Sequence, residues 1–434
     1  VSDTARDVPA SPVTLDLDWY DPLTAFAAVE HEPYALLLHD GRSGRARLFA
    51  GPGMTMEGRT RADFDRFAEA FRASGPTGLW AGLLGYDLAR AFEVLPETRG
   101  EGRGLHMAHY AAWAEFDRQA GRLRIHAASD AAARSFAARL GRDSLAEPEA
   151  SPVAEWQARW TPHTYLEAAR TARDYVHAGD VFQVNLSQAF DATLAEGDTP
   201  WQVFRRLCEN SPAPHAAYFR LNADEVILTN SPERFLAVEA GRVEARPIKG
   251  TRRRDADAVR DAALRAELSA SVKDRAENLM IVDLMRNDLA RVCEPASVRV
   301  PALCEVETYA NVHHLVSVVT GQLRVGQDLP GLIAASFPPG SITGAPKVRA
   351  MEIITELEGD ARGAYCGTLG WMSPAGALDL NVMIRTASFR HSAGRWQGEI
   401  RSGGGIVADS DPQAEYEETL TKASALRRAV GGGA

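Results

Sequence analysis

Short apolar runs broken by turn residues fill the first third of the chain. "YALLLHDG" (34–41), "GLWAGLLGYDLARAFEVLP" (78–96) and "RLRIHAASD" (122–130) each read as strand followed by turn. "LAEPEASPVAEW" (145–156) then mixes proline, acids and small residues, which is linker composition. The expected division is therefore an amino-terminal unit over 1–150 and a second unit over 151–434. The second begins with helical periodicity in "TPHTYLEAARTARDYVHAGDV" and continues with strands in 181–194, 215–250 and 364–405. Gly, Pro or Asn turns separate several of these strands closely, which predicts antiparallel meanders and an α+β fold.

Two helical segments carry paired acids. In "SVKDRAENLMIVDLMRNDLARV", Asp274 and Glu277 are three residues apart. "DSDPQAEYEETLTKASALRRAVGGG" has Asp411 to cap a helix, Pro412 for its first turn and Gly431 to end it. On it Glu415, Glu418 and Lys422 share one narrow arc, bordered by Tyr416, Leu420, Ala423, Leu426 and Val430 as the expected buried face. Ion pairing on an exposed helix explains either stripe alone. Together, two D/E-x-x-E helices could converge on a hard divalent cation, which takes oxygen ligands; the His and Cys spacings of zinc sites are absent.

Composition changes the picture in two ways. The 434 residues are 45% hydrophobic and 24% charged, enough for a sizeable core, and the net charge of −10 opposes non-specific nucleic-acid binding. An anionic ligand needs a local cationic site instead. Four cysteines without CxxC spacing fit a reducing cytoplasm, and no apolar run approaches the roughly 20 residues of a membrane helix. Candidate anion donors are Ser341, Thr343 and Gly344 ahead of a helix beginning near Pro346, with Lys347 adding a charge, and the backbone of Gly403, Gly404 and Gly405. A hairpin bend accounts equally for the glycines. Arg385, mid-strand in "NVMIRTASF", needs either a structural acid or a ligand carboxylate.

From about 155 to 430 the sequence resembles the chorismate-binding enzymes, the family of the anthranilate, aminodeoxychorismate, isochorismate and salicylate synthases. "GDVFQVNLSQ", "SPERF", "PIKGT", "KDRAENLMIVDLMRNDLARV", "HHLVS", "GSITGAPKVRAMEIITELE", "YCGTLGW", "MIRT", "GGGIVADSDP" and "AEYEETLTKA" occur in that family's order. The resemblance implies large antiparallel sheets packed as a sandwich with helices outside, behind an anthranilate-synthase-component-I-like amino-terminal domain. It also implies a magnesium site with Glu277 and Glu418 as ligands, and Asp274 and Glu415 assisting through water. The metal would hold the ring carboxylate of chorismate. Tyr365, Arg385 and the backbone of Gly403 and Gly405 would hold the enolpyruvyl carboxylate, Lys422 and Lys347 would add positive potential, and His314 and Ser341 would lie near the ring.

Lys249 in "PIKGT" marks the aminodeoxychorismate-forming branch, where anthranilate synthases carry a small residue. Its amine is implied to attack ring carbon 2 and expel the 4-hydroxyl, before ammonia attacks carbon 4. Glu233 in "SPERF" takes the general-acid position. Nucleophilic use of Lys249 requires a lowered pKa, expected from burial, magnesium and Arg385. Gln183 stands where the water-adding branches have lysine, so water addition is disfavoured. No cysteine lies in a glycine-rich elbow, so the resemblance implies a separate glutaminase subunit as the source of ammonia. Two rivals stand beside this reading: anthranilate synthase component I, and a ligand sensor that has lost turnover. "YALLLHDG" departs from the LLES-type feedback element, which leaves structural rather than inhibitory tryptophan binding as the expectation for the amino-terminal part.

Overall fold

The computed structural model describes residues 12–147, 155–309 and 312–431. Two antiparallel sheets dominate it, one of twelve strands and one of ten. The boundary expected near 150 lies at 148–154, outside the described residues. Strands on either side of it share both sheets. Leu36–Asp40 pairs with His215–Asn222 in the larger, and Leu79–Leu84 pairs with Thr368–Ser373 in the smaller. The two units expected from the linker are thus joined by ladder hydrogen bonds.

The alternation of side chains explains the apolar run "ALLL". Leu36 enters a cluster between the sheets with Phe49, Phe219 and Ile227 of the larger sheet and Leu79, Leu83, Tyr110 and Leu369 of the smaller. Leu37 points the other way, into a cluster under helices that supply Phe26, Phe136, Phe204 and Leu426. A strand covered on both faces is apolar throughout instead of alternating. The smaller sheet is covered by helices carrying Phe64, Phe67, Ile281, Met285 and Leu332. This is the sandwich with helices outside that the sequence predicts.

One buried charge cluster ties these layers together. Arg362 contacts Glu358 at 2.6 Å and Arg401 contacts it at 3.4 Å, all three side chains being at most 3% exposed. Glu358 also accepts from the Ser187 backbone and hydroxyl, and Arg362 donates to the carbonyls of Asn185 and Ile342. Removing one partner leaves the others charged and dry. Glu358→Ala is expected to lower stability by about 3–5 kcal/mol, read as an earlier midpoint in urea unfolding.

Candidate active site

The strand Ile248–Arg253 pairs with Val312–Gln322 in a register that skips one residue. Lys249 faces Leu315 and Thr251 faces His314, so Gly250 is extra. Gly250 has φ +76, and a Cβ there would lie 2.8 Å from Asp274 Cγ and 2.9 Å from Leu268 Cδ1. Such a bulge turns the preceding side chain to the face opposite the one regular alternation would give. Lys249 is thereby aimed inward, where its Nζ donates to the Ser341 carbonyl at 3.0 Å. Gly250→Ala is expected to cost about 2 kcal/mol in denaturant unfolding, because alanine meets both the positive φ and the helix behind it. Unchanged stability would show that the bulge relaxes freely.

Burial is the largest influence on the Lys249 amine and lowers its pKa; Glu277, Glu233 and Glu418 pull it up and Lys422 pushes it down. The cations expected to lower it were magnesium and Arg385. Burial does so as expected, and the cation beside it is Lys422 where Arg385 was expected. The Glu233 carboxyl is raised by burial, opposed by the Ser341 hydroxyl, Lys249 and Lys422. Its backbone is fixed by the Ser231 hydroxyl, which accepts from the Glu233 N–H at 3.1 Å and donates to the Val382 carbonyl at 2.6 Å.

Both amide atoms of Gln183 and Asn185 Oδ1 are buried here without a protein partner, and Glu233 Oε1 and Ser341 Oγ face each other without a hydrogen bond of normal geometry. Asn185 N–H donates to the Thr343 carbonyl, and Gln183 pairs with Ala345, so these residues adjoin the Ser341 turn. Buried polar groups in native proteins are nearly always satisfied, so such a group of orphans marks a place for a polar ligand or water. Asn185 carried no signal in the sequence, since it reads as one position of a buried strand.

The two acid-bearing helices, Val272–Ala290 and Pro412–Ala429, converge on the same place. Glu277 feels Lys249, Lys273, Asp274 and Glu418, and burial raises its pKa. Glu415 is raised by burial and by Glu418, while accepting from the Ser410 hydroxyl at 2.7 Å. Glu418 pairs with Lys422 at 2.6 Å. Asp274 is engaged by Arg252 at 3.3 Å. Among the described residues no three His, Cys, Asp or Glu side chains form a ready metal cage. The donor set still suits a hard cation. Its oxygens come from two helices, burial disfavours their charge, and a Cβ on Gly404 would fill space 3.0 Å from Glu415 Oε2 and 3.7 Å from Glu418 Oε1.

Gly403, Gly404 and Gly405 lie inside the strand Arg395–Ile406, not at a bend. They pair with Ser187, Leu186 and Asn185. Ser187 and Asn185 N–H point away from this ladder, to Glu358 and Thr343. Antiparallel alternation therefore directs the N–H groups of Gly403 and Gly405 away from that partner strand. On that side the neighbouring strand ends at the Thr386–Arg401 pair, and Arg385 precedes it. Arg385 has φ +52, a rare conformation for arginine. Burial lowers its pKa, the only other charge acting on it is Arg42, and no acid among the described residues pairs with it. A half-buried guanidinium without a carboxylate beside free N–H donors has the chemistry to hold an anion.

The remaining candidates have partners of their own. Lys347 is not free to add potential to the site: its Nζ is held by Asp288 at 2.6 Å and by the Ser336 carbonyl at 2.7 Å. Tyr365 sits against Arg362 and Cys366, and burial keeps its phenol protonated. His314 bonds Thr251 Oγ1 at 2.9 Å, feels the Arg385 charge, and lines a cleft of about 870 Å³ between the sheets with Arg42, Ile248 and Tyr309, so it borders the Arg385 end of the site. Burial, with Arg42 and Arg385, pushes its pKa to about 4, so it is neutral at pH 7. Leu420, expected in the buried arc, is 40% exposed, and Thr419 takes the buried place.

These features accord with what comparison with known proteins gives. Residues 33–428 match the family model described as chorismate binding enzyme, and the chain belongs to that family. Aminodeoxychorismate synthase component 1 of Klebsiella aerogenes is 39% identical over 96% of this chain and 98% of its own. The protein of that name from Escherichia coli K12 is 44% identical over 80% of this chain and 75% of its own. The crystal structure of anthranilate synthase component I from Streptococcus pneumoniae TIGR4 superposes with a TM-score of 0.73, at 28% identity, covering 97% of this chain and 93% of that one.

Proposed function

We propose that the protein is an enzyme that converts chorismate and ammonia to 4-amino-4-deoxychorismate, the first step toward 4-aminobenzoate. The observation that carries the reading is the juxtaposition of Lys249, an amine with its pKa lowered by burial, and Glu233, a carboxyl with its pKa raised by the same cause. One is thereby biased toward the free base and the other toward the acid, the states that displacement of a hydroxyl requires.

Arg385 and the N–H groups of Gly403 and Gly405 receive the enolpyruvyl carboxylate. Glu277 and Glu418, with Asp274 and Glu415 beside them, would hold magnesium, which when bound supplies positive charge for the ring carboxylate. The Lys249 nitrogen forms a bond to ring carbon 2 as both ring double bonds shift and the carbon 4–oxygen bond breaks. Glu233 gives its proton to the departing hydroxyl, which leaves as water. Ammonia then bonds to carbon 4, both double bonds return, and the bond to Lys249 breaks with its electron pair going to nitrogen; the new ammonium on carbon 4 gives a proton back to Glu233, and both groups are ready for another cycle.

The relatives' name, component 1, supports a partner component, and we assign that partner as a glutaminase that supplies the ammonia. Burial raises the thiols of Cys208, Cys293 and Cys366, the last to about 12, so none of these three is an activated thiolate. Structural tryptophan binding in the amino-terminal part is tested by equilibrium dialysis with labelled tryptophan: stoichiometric uptake supports it and no uptake excludes it.

No helix among the described residues is long and apolar enough to cross a membrane. The test of function is product analysis after incubation with chorismate, ammonium and magnesium, with and without EDTA. Magnesium-dependent 4-amino-4-deoxychorismate is expected. Anthranilate as the product would overturn the reading in favour of its nearest rival, and no chorismate consumption under any condition would favour a sensor.

A further inference from the structure

Lys273 has no part in the chemistry above, yet it occupies the centre of the acid cluster. Its Nζ lies 4.0 Å from Glu277 Oε1 on its own helix and 4.0 Å from Glu415 Oε1 on the other. One ammonium thus spans the two helices. Lys273 stands in the first turn of Val272–Ala290, where a cation opposes the helix dipole. Its position there is unfavourable for the helix by itself and finds its return in the two carboxylates. The other groups facing these acids are already engaged. Lys422 holds Glu418 and the Gly403 carbonyl, Ser410 holds Glu415, and Arg252 holds Asp274. No other cation is recorded within ion-pair distance of Glu277 or of Glu415 among the described residues.

We infer that Lys273 is a resident counter-ion of the paired carboxylates, a positioning residue that holds the acids of the two helices in register without a divalent cation and gives way when one binds. The inference rests on the magnesium reading of this site. Its side chain is 53% exposed, so the ammonium can swing into solvent without unfolding its surroundings. Lys273 also sets the strength of cation binding. A positive charge about 4 Å from two of the ligands must be displaced or tolerated, so the cation is held loosely until a further anion, the substrate's carboxylate, joins it.

The experiment is calorimetric titration of the full chain with Mg²⁺ alone, without chorismate, on the wild type, Lys273→Met and Lys273→Arg. Methionine keeps the length and the helix preference while removing the charge. Lys273→Met is expected to bind Mg²⁺ about tenfold more tightly, and Lys273→Arg to stay near the wild type. Far-ultraviolet circular dichroism and the urea midpoint establish that the variants are folded. Equal or weaker binding by a folded Lys273→Met overturns the inference while leaving the magnesium site standing. Absence of Mg²⁺ uptake by wild type and variant alike overturns both.

Discussion

Lys249→Ala is expected to lose 4-amino-4-deoxychorismate formation by at least about a hundredfold while retaining magnesium-dependent affinity for chorismate. The split follows from where the groups lie. Lys249 is held by the Ser341 carbonyl on the inner side of the bulge, whereas the carboxylate sites use Arg385, the strand of Gly403 and Gly405, and the acids of two helices. Removing the amine deletes a bond-forming group and leaves the anion contacts in place. Rapid-quench product analysis measures the first effect, and equilibrium binding of chorismate with and without EDTA measures the second. Turnover at the wild-type rate would remove Lys249 from the mechanism.

The second large effect is expected at Glu233. Glu233→Gln removes the proton donor and keeps the shape, and the expected fall in kcat is about 10²–10⁴-fold. The pH profile carries a more specific signature. Burial raises the Glu233 pKa and lowers that of Lys249. The wild type needs the glutamate protonated and the amine unprotonated, so its activity is bell-shaped. Glutamine does not titrate, so the residual activity of the variant is expected to rise with pH through the lysine pKa with no descending limb from the glutamate. A variant that keeps the full bell would assign that limb to another group.

Local signals in the sequence carried far where the physics is local. Asp411 accepts from Ala414 N–H at 2.9 Å and Pro412 opens the helix, as their types and spacing predict. The acid stripes on both helices also follow from spacing, and their meeting place follows from the resemblance to the family. What the sequence could not express is distance between segments. Lys347 reads as a cation before an anion-binding turn, but Asp288, far away in the chain, claims it. Gly250 gives no signal of its own in the sequence, and its role depends on Asp274 packing behind it. Leu420 fits the apolar arc by angle, but the buried seam follows Glu415, Thr419, Ala423 and Leu426. The linker composition near 150 reports only on the segment itself and not on what its two sides pair with. The ladders that join Leu36–Asp40 to His215–Asn222 are formed by residues far apart in sequence.

The covalent step is the centre of the account. Intact-protein and peptide mass spectrometry on enzyme quenched during reaction with chorismate and magnesium, without ammonia, examines it directly. The account predicts a mass increment of chorismate less one water on the peptide containing Lys249, absent from Lys249→Ala and lost when ammonium is added before quenching. An unmodified Lys249 in a sample that goes on to form 4-amino-4-deoxychorismate at full rate once ammonium is supplied would contradict it.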